Sequence, residues 1–498
     1  MRNLRIWAVF AVAALVSLIA HLCIAPSMSG TDVYIFRDAG WNLAAYGSFE
    51  SAGLLYMRDL IPHFFAHYTP IQPLLFAAYA AVFPRNPYAG TVFDLLLGFL
   101  AAAVALRFVL RLPATRLRTL AALAVAAFPV VFVPDDRPET IALVLFCATV
   151  ASVARPAAQP VVVGLLLALT FLAHPFAALA AAVWVAGLFL ARGTEFRPWR
   201  RIALSGALAL AVLAPVALLY FLLDRDSLAR FAQHALGMHS GLGVVADSHK
   251  SFFDALHHSI IDPGRLMSWS YLVSLGAILL FVGWAVLRRE RLSREDGCVV
   301  AAALAGALIA LFLFPNQGNY VLFMAFAVAL GLVIVGHTQP RLAAPGLAML
   351  FFAVCTHLPS VALGLTVGIE QIPSFRAARQ QPELLRAQLP SPEALVAVQG
   401  PEYDLFKPQF HHMVELGAAE DAGRDASVEA VANCYASSQA EAGEVLPLPV
   451  ELDARQFRLI QPAPAHLWIT LFGHRFMRKQ WGYGCDLYLK NHRPGSPE

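Results

Sequence analysis

The chain has 498 residues, 58% hydrophobic and 14% charged, with a mean hydropathy of +0.62 and a formal net charge of +3. A soluble domain carries about 25% charged residues, so the composition excludes an ordinary soluble protein and predicts a polytopic membrane protein. The small net charge gives no footprint for nucleic acid. No GxxxxGK[ST], HExxH or βαβ-type GxGxxG is present, which leaves ATP-, zinc-protease- and dinucleotide-driven chemistry without a motif.

The first apolar stretch, 6–26, flanked by Arg2 and Arg5, is longer than a signal-peptide apolar region and reads as an uncleaved anchor. Further apolar stretches follow at 88–110, 117–134, 138–154, 159–173, 175–192, 202–223, 267–287, 298–314, 319–337 and 342–368. A shorter one, Pro70–Phe83, is about fourteen residues long, a length that suits a re-entrant or juxtamembrane helix better than a crossing. Leaving it out of the count puts Arg111, Arg116, Arg118, Arg155, Arg197, Arg200, Arg201, Arg288, Arg289, Arg291, Arg294 and Arg341 on the same side as Arg2 and Arg5. By the positive-inside rule that side is cytoplasmic. The expected architecture is an α-helical polytopic protein of the plasma (inner) membrane, with about eleven transmembrane helices, a cytoplasmic N-terminus and an extracytoplasmic C-terminus.

This topology collects 27–87, 134–140, 224–266 and 315–320 outside, as loops of a membrane domain over 1–369. Residues 370–498 are more polar and read as a small soluble extracytoplasmic α/β domain, with strand-like runs at Ala394–Val398, Gln456–Ile460, Leu467–Phe472 and Asp486–Leu489. Four cysteines, Cys23, Cys147, Cys298 and Cys355, fall in apolar segments as small core residues. Cys434 and Cys485 lie in the polar region and are either a disulfide or two thiols.

The stretch with most chemistry is Gly30–Phe49, where Asp32, Arg37 and Asp38 follow the first span. Charges at a bilayer edge are costly unless they face water, a partner or a site. Asp32–Tyr46 suits an interfacial amphipathic helix, and Leu54–Tyr68 a second one carrying Arg58, Asp59, His63 and His67. PDDRPET at 134–140 suits a helix start, with acidic residues at the positive end of the dipole and Pro138 in the first turn. His174 before Pro175 reads as a satisfied turn residue, with phosphate contact as the alternative. Asn316, Gln317, Asn319 and Tyr320 read as an external turn. The histidines of 224–266 show no spacing that assembles a metal site with a carboxylate.

Asp32 after the first span, the amphipathic loop, HYTPIQPLL at 67–75, RPET at 137–140, AHPF at 173–176 and NQGNYVLF at 316–323 together resemble integral-membrane glycosyltransferases of the GT-C class. The protein mannosyltransferases and lipid A aminoarabinose transferases belong to it, and the resemblance covers about residues 1–340. It departs at Val33, where many relatives have a second carboxylate, and at Asp94, where relatives often have Arg.

The resemblance implies transfer of a sugar from a polyprenyl-phosphate carrier to an extracytoplasmic glycan, lipid or protein acceptor, among membrane lipids. Asp32 would be the general base for the acceptor hydroxyl, with inversion at the anomeric carbon. Arg58, His63, His67 and Arg137 would meet the leaving phosphate. Arg37, Tyr68, Gln72, Asp136, Glu139, His174, Asn319 and Tyr320 complete the expected substrate-binding set, and Asp136 and Glu139 would hold any divalent metal ion. The competing class is a secondary transporter or lipid flippase, which usually shows repeats, broken helices or midplane charges; here the polar residues concentrate in external loops.

Overall fold

The computed structural model describes residues 2–26, 36–49, 70–83, 86–132, 138–155, 158–192, 197–223, 225, 276, 279–289, 292–313, 318–355, 358–391, 393–398, 402–415, 428–434, 456–462, 469–471, 474–476 and 483–491. It is mostly helical, with a small sheet near the C-terminus. Helix α1 (Arg2–Cys23) is followed by two short helices, α2 (Asp38–Tyr46) and α3 (Ile71–Val82). Then come α4 (Ala89–Val109), α5 (Arg116–Val131), α6 (Glu139–Ala154), α7 (Pro160–Ala173), α8 (Pro175–Ala191) and α9 (Pro198–Leu223). After a helical stretch at Leu279–Arg288, α10 (Arg294–Leu313), α11 (Gly318–Val335), α12 (Ala343–Cys355) and α13 (Leu358–Glu370) complete the helical body.

Among the described residues, three helices are long and apolar enough to cross a membrane: Asn3–Cys23, Ala89–Val109 and Pro198–Leu222. Helices α6, α7 and α8 run 16, 14 and 17 residues, short of the roughly 20 that span a bilayer unaided. The expected run 342–368 is two helices, because Pro359 cannot donate into a preceding turn and sits instead in the first turn of α13. The helices pack through small residues: Ala122, Ala126, Ala142, Ala168, Ala177, Ala180, Ala181, Ala303 and Ala327 are all fully buried, letting backbones approach closely where apolar solvent gives no hydrophobic drive. On the outer faces of α1 and α9, Val12, Leu15, Leu210, Leu218 and Leu222 are exposed. Apolar surface of that extent marks a face meant for lipid.

Beyond α13, helices α14 (Ile372–Ala378) and α15 (Gln381–Gln388) lead into a five-stranded mixed sheet. Its strands are β1 (Leu395–Val398), β2 (Met413–Glu415), β3 (Val428–Asn433), β4 (Phe457–Gln461) and β7 (Asp486–Lys490), in the order β2–β1–β3–β7–β4. Strand β1 is parallel to β2 and β3, while β7 is antiparallel to β3 and β4. The short α16 (Tyr403–Phe406) makes the crossover from β1 to β2, and β5 (Ile469–Leu471) pairs with β6 (His474–Phe476). A disulfide joins Cys434, just after β3, to Cys485, just before β7.

Two cores result. One fills the helical body, from Ile6 of α1 through α4–α12 to Val361 of α13. The other joins Trp41 of α2, Phe76 and Ala80 of α3 and Ala89 and Phe93 of α4 to Val396, Tyr403, Phe406, Met413, Ala430 and Leu487 of the sheet region. The C-terminal sheet therefore shares its apolar interior with the helices that follow α1. That shared core positions the site.

Candidate functional site

The chain leaving α1 is fixed by hydrogen bonds from three directions. Tyr88 Oη, at the start of α4, donates to the Ile24 carbonyl at 3.1 Å, and Tyr483 Oη donates to the Pro26 carbonyl at 3.0 Å. Ala25 N–H donates to the Gly368 carbonyl of α13 at 3.1 Å. Residues 27–35, which include Asp32, lie outside the described residues, and the chain resumes at Phe36.

There it is fixed again, by ion pairs. Arg37 is 2% exposed; its Nη2 donates to Asp94 Oδ2 and its Nη1 to Asp404 Oδ2, each at 2.5 Å. Asp38 is fully buried, and its Oδ1 accepts from Tyr403 Oη at 2.6 Å and Lys407 Nζ at 2.7 Å. Asn42, one turn along α2, donates to Asp38 Oδ2 at 3.4 Å. Three carboxylates and two cations thus interlock in a dry interior, where charge-assisted hydrogen bonds are short and strong. Breaking one partner there costs far more than at a surface.

Local sequence explains the fit. Gly90 lies beneath the guanidinium, where a Cβ would overlap Arg37 Nη1 and crowd Asp404 Oδ2. Gly40 lets α2 approach α3, since a Cβ there would stand 2.6 Å from the Pro73 carbonyl. The Phe76 ring takes Trp41 edge-on, with centroids 5.3 Å apart, and faces the Arg37 guanidinium at 5.9 Å.

The sheet side is built as tightly. Gln381 clamps Cys485 at two points, its Nε2 donating to the Cys485 carbonyl at 2.7 Å and its Oε1 accepting from Cys485 N–H at 3.0 Å. Gly484, at φ 110°, turns its N–H onto Glu402 Oε1 at 2.8 Å. Glu402 is fully buried; burial pushes its carboxyl up to about 8, with the Gly484 bond pulling the other way.

The other expected site residues separate into three groups. Asp32, Arg58, His63, His67, Tyr68, Asp136 and Arg137 lie outside the described residues. Glu139 opens α6 half-buried, and Gln72 is fully buried on α3. His174 is buried and caps α8, its Nδ1 accepting from Ala177 N–H at 3.4 Å, which is the turn role. Asn319 and Tyr320 belong to the first turn of α11 rather than to an open turn. Arg37, expected to meet substrate, instead carries the ion pairs to Asp94 and Asp404, because burial leaves its terminal nitrogens facing protein carboxylates. Sequence reasoning missed Tyr403, Asp404 and Lys407. The available signal was Asp94, a charge near the end of a span that requires a partner.

No protein family matches the sequence, and no curated protein does. Among solved structures, the chain is similar to the Archaeoglobus fulgidus oligosaccharyltransferase. Its apo crystal structure matches at 12% identity and TM-score 0.44, over 88% of this chain and 70% of that one. Its complex with Zn and sulfate matches at 13% and 0.43, over 94% and 72%. The Archaeoglobus fulgidus protein AglB, an archaeal oligosaccharyltransferase in complex with an inhibitory peptide and a dolichol-phosphate, matches at 12% and 0.42, over 86% and 69%.

Proposed function

We propose that this chain is a GT-C-type glycosyltransferase of the cell envelope, moving a sugar from a polyprenyl-phosphate carrier to an extracytoplasmic acceptor. Asp32 is the general base that takes the proton of the attacking hydroxyl, and attack opposite the leaving phosphate inverts the anomeric carbon. Arg58, His63, His67 and Arg137 neutralise the departing phosphate, with Asp136 and Glu139 orienting Arg137 or holding a divalent ion. The membrane domain is 1–369, with eleven spans and its external loops on the side of the 370–498 domain.

The observation that supports this reading is the anchoring of the described residues on either side of 27–35. Residues 24–26 are tied to α4, α13 and the β7 approach, and residues 37–38 to α4 and α16, so both flanks of Asp32 are fixed to the same shared core. A general base must be held within hydrogen-bond reach of its proton, and tethered flanks favour that. Arg37 and Asp38 are then positioning residues. The Cys434–Cys485 disulfide supports the extracytoplasmic side, since such bonds persist in oxidising compartments.

The test is transfer by the purified protein with a panel of polyprenyl-phosphate sugars. Asp32→Asn should lower turnover about 10²–10⁴-fold while leaving the melting temperature unchanged. Equal turnover in the two proteins removes Asp32 as the base. No turnover by wild type with any donor favours the transporter or flippase reading.

A further inference from the structure

We propose that Glu393, His411 and His412 form a binding site for a divalent transition-metal ion of the zinc type, at the β2 edge of the C-terminal sheet. Nε2 of His412 lies 2.8 Å and Nδ1 of His411 3.4 Å from one oxygen, Glu393 Oε2. One ligand atom from each of the three residues falls within 4.8 Å of the others. Zinc with bonds of about 2.0–2.1 Å to nitrogen and oxygen sets its tetrahedral ligands about 3.3 Å apart. The spacings here, 2.8 and 3.4 Å to the shared oxygen and within 4.8 Å overall, bracket that value.

The backbone already gathers the donors. Glu393 precedes β1, and His411 and His412 precede its parallel neighbour β2; Val396 N–H donates to the His412 carbonyl at 3.1 Å, locking the two lead-ins together. Lys407 Nζ donates to the His411 carbonyl at 2.9 Å while also pairing with Asp38. The Tyr46 ring, at the end of α2, stacks on His411 with centroids 3.6 Å apart and planes 30° from parallel. Side-chain exposures of 28%, 41% and 64% for His411, His412 and Glu393 give an ion a path from solvent.

Two imidazoles with one carboxylate form a nitrogen-rich set, which selects zinc, cobalt or nickel over calcium or magnesium, whose sites are built of oxygen. A bound ion would fasten the β1–β2 corner to α2 through the His411–Tyr46 stack. It would also brace Lys407, which pairs with Asp38.

The test uses full-length protein in detergent, freed of any tag and stripped by chelator, then titrated with Zn²⁺, Ca²⁺ or Mg²⁺. Wild type should bind Zn²⁺ stoichiometrically and melt at a higher temperature with it, with no such response to Ca²⁺ or Mg²⁺. Glu393→Gln and His412→Gln should each weaken Zn²⁺ binding by about 100-fold, at or above the upper end of what losing a supporting residue costs. Absence of Zn²⁺ binding by wild type, or unchanged affinity in both variants, overturns the proposal. Should the variants misfold, X-ray absorption of Zn²⁺-loaded wild type decides: a nitrogen/oxygen shell with two imidazoles supports the site, and a sulfur or all-oxygen shell overturns it.

Discussion

At the scale of single residues, the Arg37 guanidinium is the point on which the site turns. Itself 2% exposed, it bridges Asp94 of α4 and Asp404 of α16, two carboxylates from distant parts of the chain. Arg37→Ala leaves both acids without that cation in a dry interior, and the expected loss is about 3–5 kcal/mol, read as a fall in melting temperature. Gly90→Ala should be destabilising in wild type, because its methyl displaces the guanidinium. In the Arg37→Ala background the same substitution should cost less, since the guanidinium overlap is gone and only the Asp404 carboxylate must give way. That reduced cost in a double-mutant cycle is the diagnostic. Glu402 makes a separate prediction. Its folded pKa is raised to about 8 from an ordinary 4.5, so the fold keeps a proton that the unfolded chain gives up. Stability from this group is full below the ordinary carboxylate range, declines as pH rises toward about 8, and is level above it, with a slope approaching 1.4 kcal/mol per pH unit. Glu402→Gln should flatten that part of the stability–pH curve, measured by denaturation at stepped pH.

At the scale of elements, the disulfide and the short helices carry the load. Cys434 and Cys485 are 51 residues apart, and a crosslink closing a loop of that size stabilises by about 4 kcal/mol in the chain-entropy picture. Replacing both cysteines with serine should lower the melting temperature accordingly, with the reduced wild type melting near the variant. The helices themselves were largely legible in the sequence, because each apolar run must satisfy its own backbone and a helix does so locally. Thus 88–110 became Ala89–Val109, and 175–192 became Pro175–Ala191. Strands β1, β4, β5 and β7 were legible for their β-branched and aromatic content. Val428–Asn433 was not, since VEAVAN holds alanine and glutamate that favour helices, and its strand form comes from pairing with β1 and β7. The ion network was illegible for a related reason. Nothing local in YDLFK at 403–407 points to Arg37 or Asp38.

At the scale of the whole molecule, the proposal requires that the Asp32 loop and the RPET turn share one face of the membrane. In a protein whose native cysteines are replaced, single cysteines at Ser29 and Asp135 should both react with an impermeant maleimide from outside. Labelling of the two from opposite sides would remove any common pocket.

The Arg37–Asp404 contact spans 367 positions of sequence. A nascent polypeptide that has emerged past α4 therefore holds Arg37, Asp38 and Asp94 but not the Asp404 and Lys407 that complete the network. The ion network around Arg37 and Asp38 closes only after the ribosome has passed Lys407. Premature termination anywhere upstream therefore yields a fragment in which this network cannot close.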